Sequence, residues 1–557
     1  MCLRRDRPTH PPPDPPLRPF VRLLACPMVG AWLFALPAHA EDCALVESRA
    51  ALAPLSGARI ASLDIEREGP DLPPPVRAFG ALHQVSRDAS IRRQLLFAPG
   101  DTVDTLLVGE TMRRLRRERL YSDVVLLARK CDASGAVALV LRTRDSWTLR
   151  PTARLRTPST LSLGVEERNL FGTGRTVSVT TESAPRGRGA AASLTDPFFL
   201  GRDMSANIRL ANLAGNHTLR AGLRNHEFSV FDTWRAEAAL SRFSFGDTAA
   251  VEKPLHSLNA AALIGRRIGA SGNAITLLLV GVEFDSATSL SESRRMPSAI
   301  LPHARSFVGA DVGFMRRTAV FDTVSWIVPR RGFLDVPLGW EGEVIGAPGY
   351  ERGLGVPAMK LDGWLGRVWI PRRGSVLMLD GWASGFVGRG LDANHIARVS
   401  SAWYQDAPGG MWGARVTLER LFEVDPDLRA LSLMPQADYT APAIRPYASR
   451  GGRSIAASLE RSLRVAEVGA ASVLDAGTFV AGSSRWDVSE LPAGRLTAGV
   501  VGARFRILSA NGVVSSVRLD LGYPFLLSEP LPRKGFAVLT VGALFDVSRQ
   551  RDGRRLF

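Results

Sequence analysis

The sequence lacks the short motifs that usually mark an enzyme. Gly-x-Ser-x-Gly, His-Glu-x-x-His, a Walker loop and Cys-x-x-Cys are all absent. These absences exclude the common hydrolase, metalloprotease and P-loop nucleotidase signatures. We therefore expect a protein that is not an enzyme and that uses no metal and no cofactor.

Lysine is also scarce in this basic chain. The formal net charge is +16, yet only four of the seventy Lys and Arg residues are lysines: Lys130, Lys253, Lys360 and Lys534. The arginines are dispersed along alternating segments, and no helix-turn-helix, zinc-finger or aromatic RNA-binding motif accompanies them. We therefore expect no nucleic-acid partner, and we interpret the positive charge as architectural.

Long apolar runs are missing after the first forty residues. No later segment reaches the ~20 apolar residues that a membrane-spanning helix requires. The longest, Ala274 to Val282, fits a strand tilted across a bilayer. Backbone groups in lipid must all be paired internally, so the remaining option for a membrane protein is a closed barrel.

The N-terminus has the pattern of a secretory signal peptide over residues 1–40. Arginines, among them Arg4, Arg5, Arg18 and Arg22, precede an apolar run from Val29 to Leu36, and Ala38-His39-Ala40 follows as a small-x-small cleavage site. Two of the four cysteines then remain, Cys43 and Cys131. In an oxidising compartment they are expected to form a disulfide, the alternative being two unrelated thiols.

After a linker over residues 41–56, residues 57–146 are predicted to form one small domain. A first strand around Ile60 to Ile65 is followed by a short helix near Ser90 to Phe97. A second helix runs to Arg119, with an apolar face and with Arg113, Arg114, Arg116 and Arg117 predicted to be in solvent. Strands over Val124 to Ala128 and Val137 to Leu141 close the domain.

This β-α-α-β-β order, together with the segment FAPGDTVDTLLVGETMRRLRRERLYSDVVLLAR, resembles a POTRA domain. POTRA domains are the periplasmic modules of outer-membrane assembly and secretion barrels. The resemblance implies a periplasmic α/β domain that precedes a membrane barrel.

From Trp147 to the end, the sequence alternates with a period of two. Ala206, Ile208 and Leu210 oppose Asn207 and Arg209, and the same pattern recurs in later segments. One face is repeatedly charged and the other apolar, which is typical of the lumen and lipid faces of a transmembrane barrel. Residues 147–557 are therefore predicted to form an antiparallel β-barrel of about sixteen strands.

Three segments resemble the bacterial surface antigen family, the barrel half of the BamA/TamA-type superfamily. GVEERNLFGTGR is similar to the first hairpin of that family, LTDPFFLG (Leu194 to Gly201) to its next turn, and GFLDVPLGW (Gly332 to Trp340) to the start of a mid-barrel strand. Glycines in the first turn supply positive φ whatever the function.

The resemblance also implies a site inside the barrel. Members of this superfamily carry an Arg-Gly-aromatic motif on a long loop that folds into the lumen, where its arginine meets acidic residues of the two following strands. Here Ile444-Arg445-Pro446-Tyr447 precedes Glu460 and Asp475 in the same order. Arg445 and Tyr447 are therefore expected on the inserted loop, with Glu460 and Asp475 as carboxylate partners, although Pro446 replaces the glycine. The alternative is a set of ordinary charged lumen residues.

The two ends of the barrel are expected to form a weak seam. The closing strand, Phe536 to Phe545, is predicted to pair with an opening strand over Thr160 to Arg168. Gly164 and Gly542 lie inside these segments and weaken them. Either Phe545 or Phe557 supplies the terminal aromatic residue of such barrels.

These features predict a barrel in the outer membrane with its POTRA domain in the periplasm. The predicted function is the insertion or translocation of polypeptides through β-augmentation at the domain and a lateral gate in the barrel. The expected partners are outer-membrane lipid, unfolded or extended outer-membrane polypeptides, and periplasmic accessory proteins. One alternative is a channel or lipid-export pore of the same fold, and another is a rim-site hydrolase that uses His217, His226 or His395.

Overall fold

A four-stranded sheet with two helices on it precedes a closed antiparallel barrel. The computed structural model describes residues 44–46, 53–70, 83–117, 120–131, 136–157, 160–184, 187–201, 203–213, 216–225, 232–245, 255–271, 274–289, 304–318, 320–324, 334–388, 393–422, 453–468, 472–486, 495–509, 515–527 and 535–543. The predicted signal peptide lies outside these residues. Among the described residues, no helix is long and apolar enough to cross a membrane.

The N-terminal domain has the element order predicted for residues 57–146, with one added strand. Its elements are β1 (Ala44–Val46), β2 (Ile60–Glu68), α1 (Asp88–Arg92), α2 (Thr105–Arg117), β3 (Tyr121–Cys131) and β4 (Ala136–Asp145). The sheet order is β1-β3-β4-β2, with β2 parallel to β4. Strand β1 lies inside the segment that was predicted to be a linker, and it pairs with β3 at Ala44 and Ala128.

Helix α2 packs its apolar side into the domain core. Val108, Met112 and Leu115 are buried there with residues of all three long strands. The prediction that the arginines of this helix are in solvent was wrong for Arg113 and Arg114, each only 7% exposed. The reason is tertiary: segments from the barrel region pack against this side of the helix, as described below, and a helical periodicity does not report such contacts.

Among the described residues, twenty strands form the closed barrel. They are β5 (Leu149–Thr157), β6 (Thr160–Leu170), β7 (Arg175–Ala184), β8 (Gly187–Asp196), β9 (Met204–Leu213), β10 (Asn216–Asn225), β11 (Trp234–Phe245), β12 (Leu255–Ser271), β13 (Ala274–Ser289), β14 (Ala304–Thr318), then, after the hairpin β15 (Phe321–Val324) and β16 (Leu334–Pro337), β17 (Gly339–Glu351), β18 (Val356–Trp369), β19 (Ser375–Gly388), β20 (Ala393–Ala407), β21 (Gly410–Phe422), β22 (Arg453–Val468), β23 (Ser472–Trp486), β24 (Arg495–Ser509), β25 (Ser515–Leu527) and β26 (Phe536–Ala543). Within the part of the chain that the structure describes, strands β15 and β16 pair with each other and with no other strand.

The predicted number of about sixteen strands was therefore too low. That prediction assumed the same number of residues for each strand and its connection along the whole barrel. Strands β6 to β10 are only ten or eleven residues long and follow one another through short turns, whereas several later strands have fifteen or more residues. A uniform spacing undercounts the strands in the first part of the barrel.

The side chains of the barrel are arranged inside out relative to a soluble protein. Large apolar side chains point outward and are exposed, for example Leu163, Val282, Phe314, Val344 and Val465. Charged side chains on the alternate positions are buried on the inner face: Glu182, Asp285, Asp311, Glu341, Glu343, Asp475, Arg504, Arg506 and Asp520. This alternation is the one predicted from the sequence.

Candidate functional site: lumen, seam and domain junction

The two carboxylates predicted to face a loop arginine lie in the lumen beside two arginines of another strand. Glu460 on β22 accepts hydrogen bonds or ion-pair contacts from both Arg504 and Arg506 of β24, the Arg506 Nη1 atom lying 2.5 Å from Glu460 Oε1. Asp475 on β23 lies 4.0 Å from Arg506 Nη2. These residues, with Asp520, are called the lumen ion cluster below.

Asp520 on β25 completes this cluster. Arg504 donates from Nε to Asp520 Oδ1 at 2.7 Å and from Nη2 to Oδ2 at 3.1 Å, a bidentate geometry. The guanidinium of Arg504 also lies 4.6 Å from the centre of the Phe479 ring. All five charged side chains are at most 13% exposed. Burial at this level requires mutual pairing, since an isolated ion would be strongly destabilised.

The predicted loop residues Arg445 and Tyr447 lie outside the described residues, so their contact with this cluster stays a prediction. Sequence reasoning missed Arg504 and Arg506. The period-two alternation of that segment could have predicted them, because Phe505 and Ile507 point outward and the residues that alternate with them are Arg504 and Arg506. Parity alone places both guanidinium groups on the lumen side.

The predicted seam partner requires a correction. The closing strand β26 adjoins β5, and the segment Thr160 to Arg168 belongs to β6, which pairs with β5 and β7 instead. Gly164 is therefore in the second strand, opposite Thr152. The reason is that Leu149–Thr157 follows the domain directly and forms its own strand. Gly542 lies in β26 as expected, opposite Ser516, and Phe545 lies outside the described residues.

The seam is the narrowest junction of the barrel. Among the described residues, β26 and β5 adjoin over a shorter stretch than any other two neighbouring barrel strands. Strand β26 is also the shortest strand of the barrel within those residues. A shorter ladder has fewer backbone hydrogen bonds to break, so this is where the wall separates most readily.

The N-terminal domain is joined to the barrel by a buried polar junction around Asp145, formed by His83, Ser86, Asp145, Thr148 and Asn169. Asp145 Oδ2 accepts from the Ser86 backbone N–H at 2.7 Å, from the Ser86 hydroxyl at 3.1 Å and from Asn169 Nδ2 at 3.3 Å. His83 Nε2 lies 3.0 Å from the same oxygen, and His83 Nδ1 lies 3.2 Å from Thr148 Oγ1.

Asn169 extends this hydrogen-bond network to the turn between β6 and β7, which is called the first barrel turn below. It accepts from the Gly174 N–H at 2.9 Å, while its amide donates to the Gln84 carbonyl at 3.2 Å. The Arg87 N–H donates to the Gly172 carbonyl at 2.8 Å. The turn therefore docks on the domain through hydrogen bonds from both sides, so the domain is held against the end of the barrel at which β6 ends and β7 begins.

Backbone conformation in this turn depends partly on glycine, as predicted. Gly172 has φ of +70°, and an added Cβ there would lie 2.6 Å from the Val85 carbonyl oxygen. Phe171, however, also has positive φ, at 56°, and its side chain is 58% exposed. A non-glycine residue in this region stores strain, which the docked neighbours must offset.

The remaining predicted residues do not form a site within the described part of the chain. Cys43 lies outside the described residues, so the disulfide to Cys131 stays a prediction. His217 and His395 lie on separate strands, β10 and β20, and His226 lies outside the described residues. No group of three or more His, Cys, Asp or Glu side chains in the described residues could hold a metal ion.

Comparison with known proteins gives only distant similarities. No protein-family model matches the chain. No curated protein matches it. Among solved structures, BamA from Haemophilus ducreyi lacking POTRA domains 1–3 aligns at 12% identity over 87% of this chain and 85% of that chain, with a TM-score of 0.37.

Two further similar structures are CdiB proteins. CdiB from Acinetobacter baumannii aligns at 11% identity over 87% of this chain and 74% of that one, with a TM-score of 0.38. CdiB from Escherichia coli aligns at 12% identity over 90% of this chain and 78% of that one, with a TM-score of 0.43.

Proposed function

We propose that this chain is an outer-membrane barrel of the BamA/TamA-type superfamily that inserts polypeptides into the membrane or translocates them across it. Its N-terminal domain acts as a single POTRA domain on the periplasmic side. The proposal rests on the sequence motifs, on the inside-out barrel, and on the position of the seam next to the domain.

The membrane location is supported by the outer surface. Apolar side chains cover the outer face along the barrel strands, while buried charges such as Asp285, Asp311 and Glu343 lie inside, where they avoid a penalty of roughly 2–4 kcal/mol at the bilayer midplane. Near the domain end, the outward guanidinium of Arg367 lies 5.1 Å from the Trp340 ring centre and 4.6 Å from that of Trp369. Tryptophan beside arginine at this level is typical of a membrane interface.

The single observation on which this proposed function rests is the narrow seam between β5 and β26, next to the N-terminal domain. Strand β4 of the domain ends at Asp145 and strand β5 of the barrel begins at Leu149, so only three residues separate them. A separated seam would present two strand edges with unpaired backbone groups, which template an incoming strand. The domain therefore delivers an extended polypeptide next to the place where the wall opens.

Capture by the domain is proposed to use strand addition. Strand β2 (Ile60–Glu68) is at an edge of the domain sheet, because the sheet order ends β4-β2. An extended polypeptide can add to such an edge through main-chain hydrogen bonds, with little dependence on its sequence. At the opposite edge of the sheet, the short strand β1 (Ala44–Val46) covers part of β3.

The lumen ion cluster is proposed to hold an inserted loop. Arg445, with Tyr447 nearby, joins Glu460 and Asp475 in this proposal. Three carboxylates and two guanidinium groups already form the cluster, and Arg464, opposite Asp475 on β22, adds a further positive charge close to it. Arg504 and Arg506 then position the carboxylates.

The test is to crosslink the seam and measure activity. Cysteine pairs are scanned along β5 against β26, in a background in which Cys43 and Cys131 are serine, and the pair that forms a disulfide on oxidation is used. The matched control is Gly363→Cys with Ala383→Cys, which lie opposite each other on β18 and β19. We expect seam crosslinks to abolish polypeptide insertion and the control crosslink to leave it unchanged. Full activity with a closed seam would favour the second candidate, a channel or lipid-export pore.

A further inference from the structure

The hairpin β15–β16 is an insertion that does not belong to the barrel wall. It lies between strands β14 and β17, and its strands pair only with each other, with Asp322 opposite Val336 and Thr323 opposite Asp335. The chain leaves and re-enters the wall side by side, since the Leu338 N–H donates to the Val320 carbonyl at 2.8 Å. The hairpin is thus an appendage at the domain end of the barrel.

One face of the hairpin packs against the lumen wall. Val324 and Val336 are each 4% exposed and form one cluster with apolar side chains of strands β18 to β21, namely Val368, Val376, Tyr404 and Met411. Those side chains have the inward parity of their strands, since the alternate residues Leu365 and Trp412 are exposed outside. They also lie at the domain-side ends of their strands. The hairpin therefore sits inside the mouth of the barrel.

The opposite face of the hairpin contacts helix α2 of the N-terminal domain. The Arg113 guanidinium lies 4.5 Å from the centre of the Phe321 ring, and Arg116 Nη1 lies 3.6 Å from Asp335 Oδ1. Arg113 is itself held in place, because its Nε donates to Glu110 Oε2 at 2.7 Å. Phe321 and Asp335 share one face of the hairpin by strand parity, and Val324 and Val336 share the other.

We infer that the hairpin β15–β16 is a plug in the domain-side mouth of the lumen and that helix α2 holds it there. An isolated two-stranded hairpin is at best marginally stable in water, so contacts on its two faces keep it in place. The contacts on one of those faces are made by helix α2 of the N-terminal domain. A movement of α2, such as one caused by cargo bound to the domain, therefore removes half of the support and releases the plug.

The hairpin would close the lumen in the same way whether the cargo is a polypeptide or a lipid. It also explains why Arg113 and Arg116 occupy the side of α2 that faces the barrel region. The arginines that an isolated amphipathic helix would expose to water are the ones that reach the hairpin.

The test is ion conductance of the full chain in planar lipid bilayers. Phe321→Ala combined with Asp335→Ala removes the two contacts with α2 described above, together with one negative charge. The matched control is Phe198→Ala combined with Asp203→Ala. It removes the contacts of Arg93 and Arg114 with the turn between β8 and β9, at 5.9 Å and 3.4 Å, and leaves the hairpin untouched.

We expect at least a tenfold increase in open-channel time for the hairpin variant and none for the control. Equal conductance of the two variants would overturn the inference. A second variant replaces residues 321–337 by a two-residue turn, which the adjacent Val320 and Leu338 allow. It must conduct even with the domain in place. If it keeps the heat-modifiable gel mobility of a folded barrel and still conducts like the unmodified chain, the hairpin is not a plug. Loss of polypeptide insertion is scored separately, so failure of the proposed function is distinguishable from failure of the plug.

Discussion

The buried carboxylate of Asp145 offers the sharpest test of how the domain is held on the barrel. Asp145 is 0% exposed and receives the Ser86 N–H and the His83 ring at 2.7 and 3.0 Å. Asp145→Ala removes this acceptor and leaves both donors buried. Each orphaned donor costs about 2 kcal/mol, so the domain should lose about 4 kcal/mol. Asn169 Nδ2 still donates to Ser86 Oγ at 3.0 Å, and the Ser86 O–H, which can rotate, is left out of this sum.

Amide hydrogen exchange of β4, measured by mass spectrometry on the full chain in detergent, reads out this loss. A change of about 4 kcal/mol corresponds to exchange faster by about a thousandfold, since about 1.4 kcal/mol is tenfold. The matched control is Asp64→Ala on exposed β2, for which about 0.5 kcal/mol or less is expected. Equal protection of β4 in the two variants would show that the Asp145 contacts do not hold the domain.

Three other changes test separate parts of the account. Gly172→Ala should undock the first barrel turn, because a Cβ would lie 2.6 Å from the Val85 carbonyl oxygen, and limited proteolysis between domain and barrel should become faster. The control Gly187→Ala has the same backbone strain, with φ of +135°, but open space around it, so equally slow proteolysis of the two variants would contradict this. Arg504→Ala should destabilise the barrel by about 3–5 kcal/mol at most, because Glu460 and Asp520 lose their partner in a buried site. Unfolding by guanidinium in detergent measures this loss of stability. An effect no larger than that of Arg209→Ala would show that the lumen ion cluster does not stabilise the barrel. Thiol labelling of the unreduced protein should find no reactive Cys43 or Cys131, and stoichiometric labelling of both would exclude the predicted disulfide.

Much of the fold could be predicted from local patterns. The period-two alternation placed charged and apolar residues on opposite faces, and exposed Ile208 and buried Glu182 agree with it. The domain order followed from turn residues and one amphipathic helix. These features depend only on neighbours in the chain, so a single sequence contains them.

The remaining features depend on contacts between distant segments. Whether β5 or β6 is the first strand depends on which segment adjoins β26, and Leu149–Thr157 carries no signal for that choice. The burial of Arg113 and Arg114 depends on barrel turns and on a hairpin more than eighty residues away in sequence. The partners of Glu460 lie on β24, two strands away, and only the closed register brings them together.

The most direct measurement of the central proposal uses the purified chain in liposomes. An unfolded outer-membrane polypeptide is added, and its protection from external protease is followed over time. We predict that the polypeptide becomes protected faster than in empty liposomes, and that this acceleration is lost when the β5–β26 seam is crosslinked. If the liposomes become permeable to small solutes while the polypeptide gains protection no faster than without the protein, the chain is a channel and the insertion function is wrong.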